Sequence, residues 1–128
     1  MPQLISAALC FAVADVGSTM RWYESRLGFR GRAVPETEPF VFAILSLGPV
    51  DIMLQLIENY LKRDLYTARS GGVWNGYIRM SGIAEFYQAV KDQVEIVQPL
   101  HQQPYGQVEF EVRDPNGYVL VFSEPARQ

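Results

Sequence analysis

The sequence predicts an α+β fold built from two βαβββ modules in one chain. Three observations carry this expectation. Val108, Phe110 and Val112 alternate with Glu109, Glu111 and Arg113, as in a strand with one apolar face. Asp114-Pro115-Asn116-Gly117 then offers a tight turn, and Tyr118 to Phe122 returns as an apolar run. A shorter version of the same plan precedes this hairpin, and each copy carries one amphipathic helical stripe.

The elements follow in order. Leu4 to Val13 is an apolar first strand, with Leu9, Phe11 and Val13 on one face and Ala8, Cys10 and Ala12 on the other. Asp15 is placed to cap a helix whose Val16, Met20, Tyr23 and Leu27 form one stripe, and Gly28 is placed to end it. Phe29–Val34, Phe40–Leu47 and Val50–Ile57 are three more strands, broken by Pro35, Pro39 and Gly48-Pro49. Glu58 to Gly72 is a charged linker with some helix. Tyr77–Ser81 restarts the plan, and Ile83, Phe86, Tyr87 and Val90 make the second stripe. Val94–Val97 is a strand, Pro99–Pro104 a loop, and the hairpin closes the module. Tyr23 and Tyr87 are both expected to face their own sheets. A ferredoxin-like βαββαβ sandwich is the alternative, but it needs two strands between helices where this chain offers three. We read residues 1–128 as one domain, with module 1 at 3–58, a linker at 59–73 and module 2 at 74–124.

Composition narrows the function. A net charge of −3 argues against nucleic acid as the main partner. One cysteine, Cys10, and one histidine, His101, rule out an internal disulfide and any Cys- or His-rich metal cluster. No run approaches the ~20 apolar residues of a membrane span. Leu4 to Ala14 ends in small residues like a leader, yet no Lys or Arg precedes it. We therefore expect a buried strand of a cytoplasmic protein.

With these residues in place, the chain resembles the vicinal oxygen chelate superfamily of glyoxalases, bleomycin and fosfomycin resistance proteins and extradiol dioxygenases. The matching segments are VADVGSTMRWYESRLGF (13–29), VDIMLQLIE (50–58), GYIRMSGIAEFYQAV (76–90) and YGQVEFEVRDPNGYVLVF (105–122). The closest look is to bleomycin-resistance-type members. The resemblance implies curled sheet faces that form a small-molecule cavity between modules. It also implies four metal-ligand positions in metal-using members, which fall here on Ala8, Gln55, Tyr77 and Val121. Ala and Val cannot ligate, Tyr rarely does, and one Gln holds no metal. A slip of one residue turns each side chain to the helix face, and a slip of two supplies no quartet. No metal and no other cofactor is expected.

The remaining polar and aromatic residues supply a binding site. Trp74, Tyr77, Arg79, Glu109 and Gln55 are the candidate ligand contacts; no catalytic residue is assigned. Arg79 suits an acidic ligand group or a glutamate across the sheet, and Trp74 suits a flat ligand or a packing role. Glu109 and Glu111 line either a cavity or a solvated face. The lone loop histidine, His101, fits a solvated role better than a catalytic one, and Cys10 has no neighbour in sequence to activate it. The function expected is sequestration of a small aromatic or cationic molecule by a homodimer. The alternative is an enzyme of the same superfamily, a lyase, isomerase or dioxygenase, working through a non-standard site. A third reading is a purely structural dimerisation module.

Overall fold

The computed structural model describes residues 1–127. The chain divides into two compact units, Met1–Leu61 and Lys62–Gln128. Each unit carries one four-stranded sheet and one main helix, so the βαβββ plan is present twice.

In the first unit β1 (Leu9–Val13) is followed by α1 (Val16–Trp22), which runs on into a π-helical turn (Tyr23–Leu27). Then come β2 (Arg30–Val34), β3 (Phe42–Leu47) and β4 (Val50–Leu56). The sheet order is β1-β4-β3-β2, with β1 parallel to β4 and the other pairs antiparallel. Asp15 caps α1 by accepting from the Ser18 amide at 3.0 Å. Gly28 ends the helical segment at φ 82, a conformation open to glycine, and Phe29 N–H closes back on the Tyr23 carbonyl at 3.2 Å. Val16, Tyr23 and Leu27 of the expected stripe are buried, and Met20 is half-buried over Gly31. A Cβ on Gly31 would lie 2.5 Å from the Met20 side chain, so any larger residue there would force that side chain to move.

The first strand is shorter than its apolar run suggests. Leu4 and Ile5 are exposed, and β1 begins at Leu9. The reason is register: Leu9 pairs with Ile52, and β4 itself starts at Val50, so the parallel partner runs out beneath the earlier residues.

The second unit holds β5 (Gly76–Arg79), α2 (Ile83–Val90), β6 (Glu95–Gln102), β7 (Gln107–Arg113) and β8 (Val119–Pro125) in the order β5-β8-β7-β6. Phe86 of α2 packs edge-on to Phe122 at 5.2 Å, and Tyr87 meets Phe110 at 5.0 Å. Glu124 accepts from the Ile83 amide at 2.9 Å, placing a carboxylate at the start of α2. Asp114 organises the β7–β8 turn by accepting from the Asn116 and Tyr118 amides at 2.8 and 3.0 Å, with Gly117 at φ 90. The segment expected as a loop, Pro99–Pro104, is a correction: β6 continues to Gln102. β6 is an edge strand, and its register shifts between Ile96 and Gln98 and between Gln98 and His101. Edge strands with bulges accommodate proline because no ladder donor is lost there. His101 is therefore a strand residue directly opposite Glu109, not a loop residue.

Candidate functional site

Because Phe110 and Phe122 turn toward α2, the alternate residues Glu109, Glu111, Val121 and Ser123 occupy the opposite face of the second sheet. That face is not a solvated one. Glu109 is 2% and Glu111 3% exposed. Carboxylates in such positions need partners, and tyrosines supply them. The Tyr77 hydroxyl donates to Glu109 Oε2, and Tyr105 donates to Glu109 Oε1 at 2.6 Å. Ser123 Oγ lies 3.1 Å from Glu109, and the Gln103 amide adds a contact at 3.4 Å. Among the described residues Glu111 accepts from Tyr66 alone, at 2.6 Å through Oε1.

These settings drive the two carboxyls apart. Burial pushes Glu109 up, but the donors from Tyr105, Tyr77, Ser123 and Gln103 outweigh it, and its pKa lies below the usual range. Burial pushes Glu111 up as well, the charge on Glu109 adds to it, and the Tyr66 bond and His101 offset only part. Tyr66 is pushed up to about 12 by burial and by its bond to Glu111. Burial, and then the hydrogen bond to Glu109, likewise raise Tyr77 and Tyr105.

Tyr66 comes from the segment read as a linker. It is a strap laid on the second sheet. Lys62 sits 5.2 Å from the Tyr118 ring, Asp64 pairs with Arg113 at 3.5 Å, and Tyr66 reaches Glu111. Arg113 also pairs with Glu95 and lies 5.6 Å from the Tyr66 ring. A 3-10 turn (Tyr66–Ala68) and two glycines then lead the strap away. A Cβ on Gly72, at φ +88, would lie 2.5 Å from the Tyr66 ring, whereas one on Gly71, at φ +84, meets nothing within 4 Å. Gly72→Ala is thus expected to expel Tyr66 from Glu111 and cost about 2–3 kcal/mol, against roughly 1 kcal/mol for Gly71→Ala. Urea midpoints of the two variants check this.

Between the strap and the sheet edge lies a cleft of about 530 Å³. The strap contributes Tyr66, Thr67, Arg69 and the two glycines to it. The sheet side contributes Gln98 and His101 of β6, Gln103 beyond it, and Glu111 of β7. His101 Nδ1 lies 2.7 Å from the Pro99 carbonyl, an obligate acceptor, so Nδ1 carries the proton and Nε2 is the acceptor of the neutral ring.

Of the residues singled out in the sequence, four form one connected group. Trp74, 41% exposed, stands 5.5 Å from the Tyr77 ring; the Arg79 guanidinium lies 5.3 Å from the same ring; Tyr77 donates to Glu109. All four, Trp74, Tyr77, Arg79 and Glu109, lie outside the lining of the strap cleft. Gln55 sits in the first unit on β4, exposed, opposite Ala12 and Phe42. Sequence reasoning missed Tyr66, Tyr105 and Gln103. The one available signal was the every-second-residue spacing of Lys62, Asp64 and Tyr66.

The donor set does not fit a divalent metal at the superfamily's positions. Ala8 precedes β1, and Val121, buried beside Tyr77 in register, has no donor atom. The Tyr77 hydroxyl is engaged by Glu109 and lies 2.8 Å from Ser123 Oγ. Among the described residues no three His, Cys, Asp or Glu side chains gather into a metal-binding group. No helix among them is long and apolar enough to cross a membrane.

The family model of the Glyoxalase/Bleomycin resistance protein/Dioxygenase superfamily matches residues 5–122, and the chain belongs to that superfamily. Solved structures share its fold. TioX from Micromonospora sp. ML1 is 20% identical, with a TM-score of 0.72 over 94% of this chain and 99% of that one. A glyoxalase-related enzyme from Clostridium phytofermentans is 17% identical, with a TM-score of 0.75 over 97% of each chain. The bleomycin-binding protein of bleomycin-producing Streptomyces verticillus, solved with copper(II)-bleomycin, is 18% identical, with a TM-score of 0.70 over the full length of both chains. No curated protein sequence matches the chain.

Proposed function

We propose that this chain is a small-molecule-binding protein of the glyoxalase/bleomycin resistance type, acting without a metal as a cytoplasmic homodimer. The observation that carries the reading is the second sheet's polar face. Two buried carboxylates, ringed by tyrosine hydroxyls, stand beside a cleft of ligand size. On the second unit Trp74, Tyr77 and Arg79 supply an aromatic and charged surface backed by the buried Glu109, and on the first unit Gln55 is proposed as a separate polar contact. The bleomycin-binding relative supports this reading through its fold. Val34 and Val41 leave apolar surface open on the first unit, which two-fold pairing would cover.

A second reading, an enzyme of the same superfamily with a non-standard site, is favoured by one observation. Glu109 and Glu111 are driven in opposite directions, as an acid–base pair requires. One experiment separates the two. Purified protein is analysed for metal, sedimented at micromolar concentration and put through a thermal-shift panel of drugs and metabolites. Metal-free dimers stabilised by compounds that remain intact are expected. Retained stoichiometric metal, or chemical turnover of a stabilising compound, would favour the enzyme.

A further inference from the structure

We propose that the cleft under the strap binds an organic cation, a primary amine, amidine or guanidine, through the unshared carboxylate oxygen of Glu111. This names the ligand chemistry for the binding reading above and rests on it.

Glu111 is 97% buried by its 3% exposure, yet only its Oε1 is used, by Tyr66. Its Oε2 has no hydrogen-bond partner among the described residues, and the side chain lines the cleft. Among the described residues only Arg113 Nε is a buried side-chain atom left without a partner, so Glu111 Oε2 is open to the cleft, where water or a ligand's donor can reach it. The neighbouring Glu109 is built the other way, with both oxygens bonded by the fold itself. The fold therefore satisfies one carboxylate internally and presents the other. His101 lines the same space, and in its neutral form, with Nδ1 turned to the Pro99 carbonyl, Nε2 is its acceptor. Two acceptors in a cleft call for a ligand rich in N–H donors, and a charged donor binds a desolvated carboxylate more strongly than a neutral one.

Arg69 also lines the cleft, and its charge opposes a cation. It is exposed on the strap, where solvent screens it, whereas Glu111 is buried, where a charge is screened less. A bare metal ion fits less well, because no third anionic or imidazole ligand joins Glu111 and His101 among the described residues. The volume also suits a molecule of several heavy atoms.

The test uses matched probes on the full-length chain: benzylamine and benzamidine as cations, benzyl alcohol as the neutral match, and benzoate as the anion. Amide chemical shifts are followed in an isotope-labelled sample. The cations are expected to perturb Glu111, His101 and Tyr66 saturably, at least tenfold more tightly than the alcohol, with benzoate inert at these positions. Glu111→Gln is expected to weaken the cations tenfold or more, and Arg69→Gln to tighten them a few-fold. The second variant changes an exposed side chain and keeps the proposal testable if the first does not fold. Equal binding of alcohol and amine, or shifts confined to other surfaces, overturns the cation site. If other compounds of the thermal-shift panel still bind, the broader reading stands without it; if nothing binds anywhere, both fall.

Discussion

Tyr23→Ala is expected to destabilise the first unit by about 3–5 kcal/mol, the usual cost of truncating a fully buried aromatic. Tyr23 is 0% exposed and opens the π-helical turn. Its ring packs edge-on against Trp22 at 4.9 Å and Phe29 at 5.6 Å. Its carbonyl takes the closing bonds from Gly28 and Phe29. Removing the ring leaves a cavity where a helix end, a turn and a strand converge, with little freedom to collapse. Tyr87→Ala, at the matching place in the second unit, is expected to cost less, because Tyr87 is only half-buried. Chemical denaturation of the two variants compares them; equal losses would show that the α1 stripe is no better packed than that of α2.

Glu109→Ala is expected to cost about 2–3 kcal/mol, since it takes the charged acceptor from the half-buried Tyr77 hydroxyl and from Ser123, while Tyr105, largely exposed, can turn to water. Glu109→Gln, which keeps one acceptor, is expected to cost roughly 1–2 kcal/mol. The pH dependence has a definite sign. The folded pKa of Glu109 is depressed below its ordinary 4.5, so its contribution is present above that value. It is lost as pH falls through the folded range. Glu111 acts in the opposite sense: its folded pKa is raised, so the folded state gains from protonation and loses stability as pH rises from 4.5 through the folded range. Glu111→Gln is therefore expected to match or exceed the parent midpoint near neutrality, while Glu109→Gln falls below it. Denaturation midpoints across the acid range check both slopes. A variant that gains stability while losing a ligand is the pattern of a group held for binding rather than for folding.

What could be read in the sequence was local. Asp15 ahead of the Val16–Leu27 stripe, Gly28 behind it and the Asp114–Gly117 turn specify their own geometry within a few residues. The repeat of strand–helix–strands then fixed the fold class. What escaped depended on distant partners. Glu109 and Glu111 alternate with apolar residues as any half-exposed strand does, and their burial follows only once Tyr66, Tyr77 and Tyr105 arrive from elsewhere. Pro99 looked like a breaker, because nothing nearby in sequence says that β6 lies at a sheet edge. Leu4 and Ile5 look buried, because the sequence does not reveal that their parallel partner β4 begins only at Val50.

The strap's spacing limits how this chain can vary in length. Connections between modules usually accept insertions and deletions freely. Here Lys62, Asp64 and Tyr66 reach Tyr118, Arg113 and Glu111 from alternate positions. One residue added or lost between Lys62 and Tyr66 would reverse their phase, turning either the ion pair or the tyrosine outward. Length changes between the two halves are thus tolerable before Lys62, around Asn59 and Tyr60, and not within the four residues after it.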